Sequence, residues 1–81
     1  MPMLKLYLFI FEDRTDYIVQ CINFKEAVMS MIVQYGFSNS ILLKALKGFA
    51  NNDVHEIVEL CENLTDLRIY KVFIIDEVVY E

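Results

Sequence analysis

Glycine, proline and histidine are scarce in this chain. Two glycines, Gly36 and Gly48, and one proline, Pro2, serve 81 residues. A phosphate-cradling loop needs closely spaced glycines whose backbone can approach the anion, so that class of nucleotide site is excluded. With no proline beyond position 2 and no Ser/Gly-rich stretch, nothing reads as a linker. Residues 1–81 are therefore expected to form a single domain. One histidine, His55, gives little scope for nucleophilic catalysis, which requires a base beside the serine or cysteine. The two cysteines, Cys21 and Cys61, lie in apolar stretches without metal-ligand spacing. They are expected to be buried free thiols rather than a disulfide framework. No apolar run approaches the ~18–20 residues of a membrane span. Met1-Pro2-Met3-Leu4-Lys5 also lacks the ordered charged, apolar and small-residue regions of a secretory signal. A cytoplasmic location is the expectation.

Positive charge is also short. Seven Lys and Arg stand against twelve Asp and Glu, a formal charge of −5. A nucleic-acid binder needs clustered cations to displace counterions from phosphates, and an anionic membrane surface needs the same. Direct contact with either is not expected. Apolar residues, by contrast, are abundant at 57%, against the ~45–50% of ordinary soluble domains. A chain this short buries only roughly 60–65% of its unfolded surface. The surplus is expected outside, as a patch that meets a partner.

Local patterns place the elements. Leu4 to Phe11 reads as a strand, apolar on both faces. Glu12-Asp13-Arg14-Thr15-Asp16 is turn-forming, and Tyr17 to Ile22 returns as a hairpin. Asn23 with Glu26 and Asp53 with Glu56 are capping pairs that open two helices. The first carries Phe24, Ala27, Val28, Met31, Ile32 and Tyr35 at helical spacing and stops at Gly36. Between them a helix runs from about Asn39 to Phe49, entered through Ser38, with Leu42, Leu43, Leu46 and Phe49 inward; Asn51-Asn52 breaks it. The Asp53 helix turns Val54, Ile57, Val58, Cys61 and Leu64 inward. Leu67 to Ile75 is a strand, and residues 76–81 suggest a final short one. The fold class is α+β: an antiparallel sheet of three or four strands, ordered β-β-α-α-α-β with a possible last β, and helices on one face.

The sheet faces decide where the surplus apolar surface lies. A five-residue turn pairs Phe11 with Tyr17, Phe9 with Val19 and Tyr7 with Cys21. The aliphatic side (Leu6, Leu8, Ile10, Ile18, Ile22) is expected to meet the helices. The aromatic side (Tyr7, Phe9, Phe11, Tyr17) then becomes the expected contact surface. Such a stripe resembles a base-stacking platform, but the basic and glycine residues that accompany one are missing. A second candidate is the acidic face of the last helix, Glu56, Glu59, Glu62 and nearby Asp66, able to steer approach to a basic target. His55, Glu59 and Glu62 share a helix face, yet Cys61 points roughly opposite. A solvated polar face is expected there, with no metal and no cofactor.

No family motif is present. In its shortness, its lack of linkers and its richness in Ile, Phe, Tyr and Asn, the chain resembles small proteins of tailed phages. Many of these bind and block a host enzyme or defence factor, which would place this one in the host cytoplasm. The expected function is a small non-enzymatic protein–protein interaction module, with a protein partner that presents a basic surface, working as a homodimer or in a hetero-complex. Two other readings stay open. One is an α+β domain that senses a small molecule held between sheet and helices; the other is a structural homodimer.

Overall fold

The turn after the first strand sets the geometry of the sheet. In the computed structural model, which describes residues 4–35, 40–49, 53–74 and 77–80 (for 40 and 77–80, the backbone), β1 spans Lys5–Phe11 and β2 spans Asp16–Cys21. The Phe11 amide donates to the Thr15 carbonyl and the Arg14 amide to the Phe11 carbonyl, both at 3.0 Å. Arg14 takes a left-handed backbone with φ of 72°, the place a three-residue hairpin loop usually gives to glycine. Asp13 stiffens the loop by accepting from the Thr15 amide at 3.0 Å and its hydroxyl at 2.6 Å. Those bonds hold the Asp13 carboxyl below its ordinary range.

This loop is tighter than the five-residue turn expected, and the register moves by two. Phe9 pairs with Tyr17, Tyr7 with Val19 and Lys5 with Cys21. A two-residue slide preserves side-chain parity, so Tyr7, Phe9 and Tyr17 still share a face.

Three helices follow: α1 (Phe24–Gln34), α2 (Ser40–Lys47) and α3 (Val54–Leu64). Both expected N-caps form. Asn23 Oδ1 accepts from the Glu26 amide at 2.8 Å, and Asp53 Oδ1 from the Glu56 amide at 3.0 Å. The second helix is shorter than the Asn39–Phe49 expected, ending where Gly48 N–H closes back on the Lys44 and Ala45 carbonyls. Gly36, Ser38, Asn39 and the Asn51-Asn52 break lie outside the described residues, as do Ile75 and Asp76. The chain then forms β3 (Ile69–Ile74) and β4 (Glu77–Tyr80), completing an antiparallel sheet ordered β2-β1-β3-β4. The α+β layout with helices on one face, and the final strand, are as the sequence indicates.

The helices cover the aromatic side of the sheet, so the expected assignment of the two faces is reversed. Tyr7, Phe9 and Phe11 are buried with Phe24, Ala27, Val28, Met31 and Ile32 of α1. Phe9 stacks on Phe24 at 5.8 Å between centroids, and Tyr7 meets the same ring at 6.1 Å. Phe11 packs edge-on against Tyr35 at 5.7 Å. The physical reason is fit. Phe24 at the start of α1 and Tyr35 at its end meet the strand rings directly, and each ring buries roughly 150–250 Å². Two tyrosine hydroxyls find partners at the margin of the layer. Tyr17 Oη bonds Ser30 Oγ at 2.9 Å, and Tyr35 Oη donates to the Asp16 carbonyl at 3.2 Å.

A bulge corrects the reading of the last long strand. Ile10 pairs with Lys71 but Phe11 pairs with Ile69, leaving Tyr70 as the extra residue. Ile69 and Val72 therefore both point inward and are buried, which strict alternation forbids. Ile57, Val58 and Cys61 of α3 complete the core with Leu42 and Leu46 of α2. Leu64, expected inside, is exposed at the end of α3.

Candidate functional site: the outer face of the sheet

Opposite residues on paired strands share a face, so the register defines the outer surface row by row. Leu8 lies between Ile18 of β2 and Phe73 of β3, and Ile10 lies between Asp16 and Lys71. Leu6 pairs with Gln20, and Leu4 and Ile22 continue the same alternation. No described helix covers this side. Ile18 is 59% exposed, Leu4 56%, Ile22 43% and Leu6 41%, with Leu8, Ile10 and Phe73 half-buried among them. Tyr70 at the bulge adds an exposed ring, with the Arg14 guanidinium 4.8 Å and the Lys71 ammonium 5.4 Å from its centroid. Such cation–ring contacts hold the cations at the margin of the patch. Given ordinary side-chain areas, the face offers on the order of 500 Å² of contiguous apolar surface, at the upper end for a monomer.

The residues expected to make contact fall elsewhere. Tyr7, Phe9 and Phe11 are core, with Phe9 at 0% exposure, and Tyr17 is half-buried against Phe9, Tyr35 and Ser30. The aromatic strand face is therefore not a free surface. Of the acidic helix face, Glu56, Glu59 and Asp66 are exposed. Glu62 is engaged in the fold: its Oε2 accepts from the Ile69 amide at 3.0 Å, tying α3 to β3. Arg68 donates to the Glu62, Thr65 and Leu67 carbonyls at 3.0, 3.3 and 2.7 Å. That places a cation at the negative end of α3. A hollow of about 240 Å³ lined by Phe11, Glu12, Asp13, Asp66 and Arg68 lies alongside.

The thiols are not poised for chemistry. Burial pushes Cys61 up to about 11, against the partial relief of the Thr65 hydroxyl. Burial, and secondarily Glu26, also raise Cys21, which is half-buried. Thiols shifted upward are poor nucleophiles near neutral pH. Among the described residues no three His, Cys, Asp or Glu side chains converge as a metal site. No described helix is long and apolar enough to cross a membrane. Between sheet and helices, where a sensed ligand would sit, the described core is occupied by the rings of Tyr7, Phe9 and Phe24.

Compared with protein-family models, curated proteins and solved structures, the chain matches none.

Proposed function

We propose that this chain is a protein-binding module that docks through the outer face of its sheet. One observation carries the reading: the row Ile18–Leu8–Phe73 and its neighbours Leu4, Leu6 and Ile22 form an apolar surface that no described helix covers. Leaving Ile18 or Leu4 in water forgoes roughly 25 cal/mol for every Å² that burial would remove from solvent. A partner regains it. For a partner with a basic surface, the exposed carboxylates Glu56, Glu59 and Asp66 steer approach at longer range, in keeping with the charge of −5. The compositional likeness to small phage proteins adds the finer reading that the partner is a host enzyme or defence factor.

The test compares two variants that should both fold, because each alters an exposed side chain. Ile18→Glu places a charge inside the contact and should abolish association, followed by sedimentation of the purified chain and by co-purification of a bound protein. Glu59→Lys should slow capture of a partner with a basic surface and weaken its salt dependence without abolishing it. Association that survives Ile18→Glu in a variant with an unchanged far-UV spectrum sinks the reading.

A further inference from the structure

The outer-face rows have a property beyond apolarity: one of them is self-complementary in charge. Across the sheet, the row runs Asp16, Ile10, Lys71 on β2, β1 and β3. We infer that the occupant of this face is a second copy of the chain, related by a twofold axis that runs along β1 between the two sheets. This inference rests on the docking surface proposed above.

A twofold axis in that position exchanges left and right across the sheet while keeping each row in place. It brings β2 of one protomer over β3 of its partner. Asp16 then faces the partner's Lys71, and Lys71 faces the partner's Asp16, across sheets packed about 10 Å apart. Ile10 lies on the axis against its own copy. The next row sets Ile18 over the partner's Phe73 and Leu8 over its copy, so it is apolar throughout. An axis across the strands instead would reverse the rows and set Asp16 over the partner's Gln20, losing both charge pairs. Size agrees. A standard interface takes about 800 Å² per partner, and in homodimers roughly 65% of it is apolar, so about 500 Å² of apolar surface is what it needs. Charge agrees as well. Two molecules of net charge −5 repel, but the facing row carries one carboxylate against one ammonium, with Arg14 at Tyr70 on its margin.

The experiment is sedimentation equilibrium of the purified chain, with Asp16→Lys, Lys71→Asp and the double charge swap. The native chain should dimerise reversibly. Each single variant turns two attractions into two repulsions and should weaken the dimer about tenfold or more. The double swap should restore most of the loss while melting like the native chain. A native chain that stays monomeric at every concentration overturns the second-copy inference; so does a double swap as weak as the singles. The docking reading is separable. If the chain is monomeric but Ile18→Glu still releases a co-purifying protein, the face binds a different partner and only the dimer falls. If the chain dimerises and Ile18→Glu leaves the dimer intact, both readings fall.

Discussion

Truncating Phe9 to alanine distinguishes the two sides of the sheet energetically. Phe9 is fully buried, stacks on Phe24 at 5.8 Å and lies 6.3 Å from the Tyr17 ring. Removing it forfeits the transfer energy of the ring and leaves a cavity that the rigid layer of α1 cannot close. Such changes cost about 3–5 kcal/mol. A domain of this size has a total stability of roughly 4–12 kcal/mol, so Phe9→Ala should remove from about a quarter to all of it. Ile18→Ala, on the outer face of β2, should cost the monomer less than about 1 kcal/mol, because Ile18 is 59% exposed. Urea unfolding followed by circular dichroism measures both. Protein must be dilute enough for the monomer to prevail, since dimerisation would add concentration-dependent stability to the native chain. Equal losses for the two variants would refute the reasoning, for they would mean that the aliphatic side is packed like a core.

Other consequences follow from single contacts. Arg14 is left-handed at φ of 72° yet stacks on Tyr70. Arg14→Ala should therefore lower stability by about 0.5–1 kcal/mol through loss of the ring contact. Arg14→Gly should recover a similar amount from relieved backbone strain, so its denaturation midpoint should exceed that of the alanine variant. Cys61 is raised from an ordinary thiol value to about 11 when folded. Its contribution is whole below the unfolded thiol's pKa and is lost as pH rises through the folded one. Stability should decline by up to about 2–3 kcal/mol between pH ~9 and ~11, and Cys61→Ala should remove that part of the slope. Asp13 works in the opposite sense. Its lowered pKa adds stability above the unfolded carboxylate's value that is lost as pH falls through the folded one, a limb that Asp13→Ala should erase from an acid titration. Glu62→Ala should cost about 1–2 kcal/mol by orphaning the Ile69 amide, and Glu62→Gln should cost less because its carbonyl can still accept.

The elements were legible because their signals are local. Asn23 and Asp53 cap the helices they appear to cap, and the 3.6-residue spacing of Phe24, Ala27, Val28, Met31 and Ile32 marks a buried stripe. The side of the sheet on which that stripe lands is not local information. Both faces of β1 are apolar, so period-two alternation separates them without ranking them. The ranking comes from the rings of Phe24 and Tyr35, which meet Tyr7, Phe9 and Phe11, and that match exists only once α1 is laid on the sheet. Tyr17 and Tyr35 join that layer with their hydroxyls bonded at its edge, to Ser30 Oγ and to the Asp16 carbonyl. The bulge at Tyr70 was hidden for a related reason. No glycine marks it, and it shows itself only through the pairing of Ile10 and Phe11 with β3. The surplus of apolar residues points to an exposed patch, but the expectation set that patch on the aromatic side, which the helices cover, and the exposed apolar side is the aliphatic one.

Methyl-resolved NMR across a dilution series tests the central claim most directly, because it asks which side of the sheet meets another molecule. The account predicts concentration-dependent shifts for the methyl groups of Leu6, Leu8, Ile10 and Ile18, with Leu42, Leu46 and Ile57 in the core unmoved. Shifts confined to α3 or to the exposed residues of α1 and α2 would contradict it, and no shift at any concentration would remove the second copy as the occupant of the face.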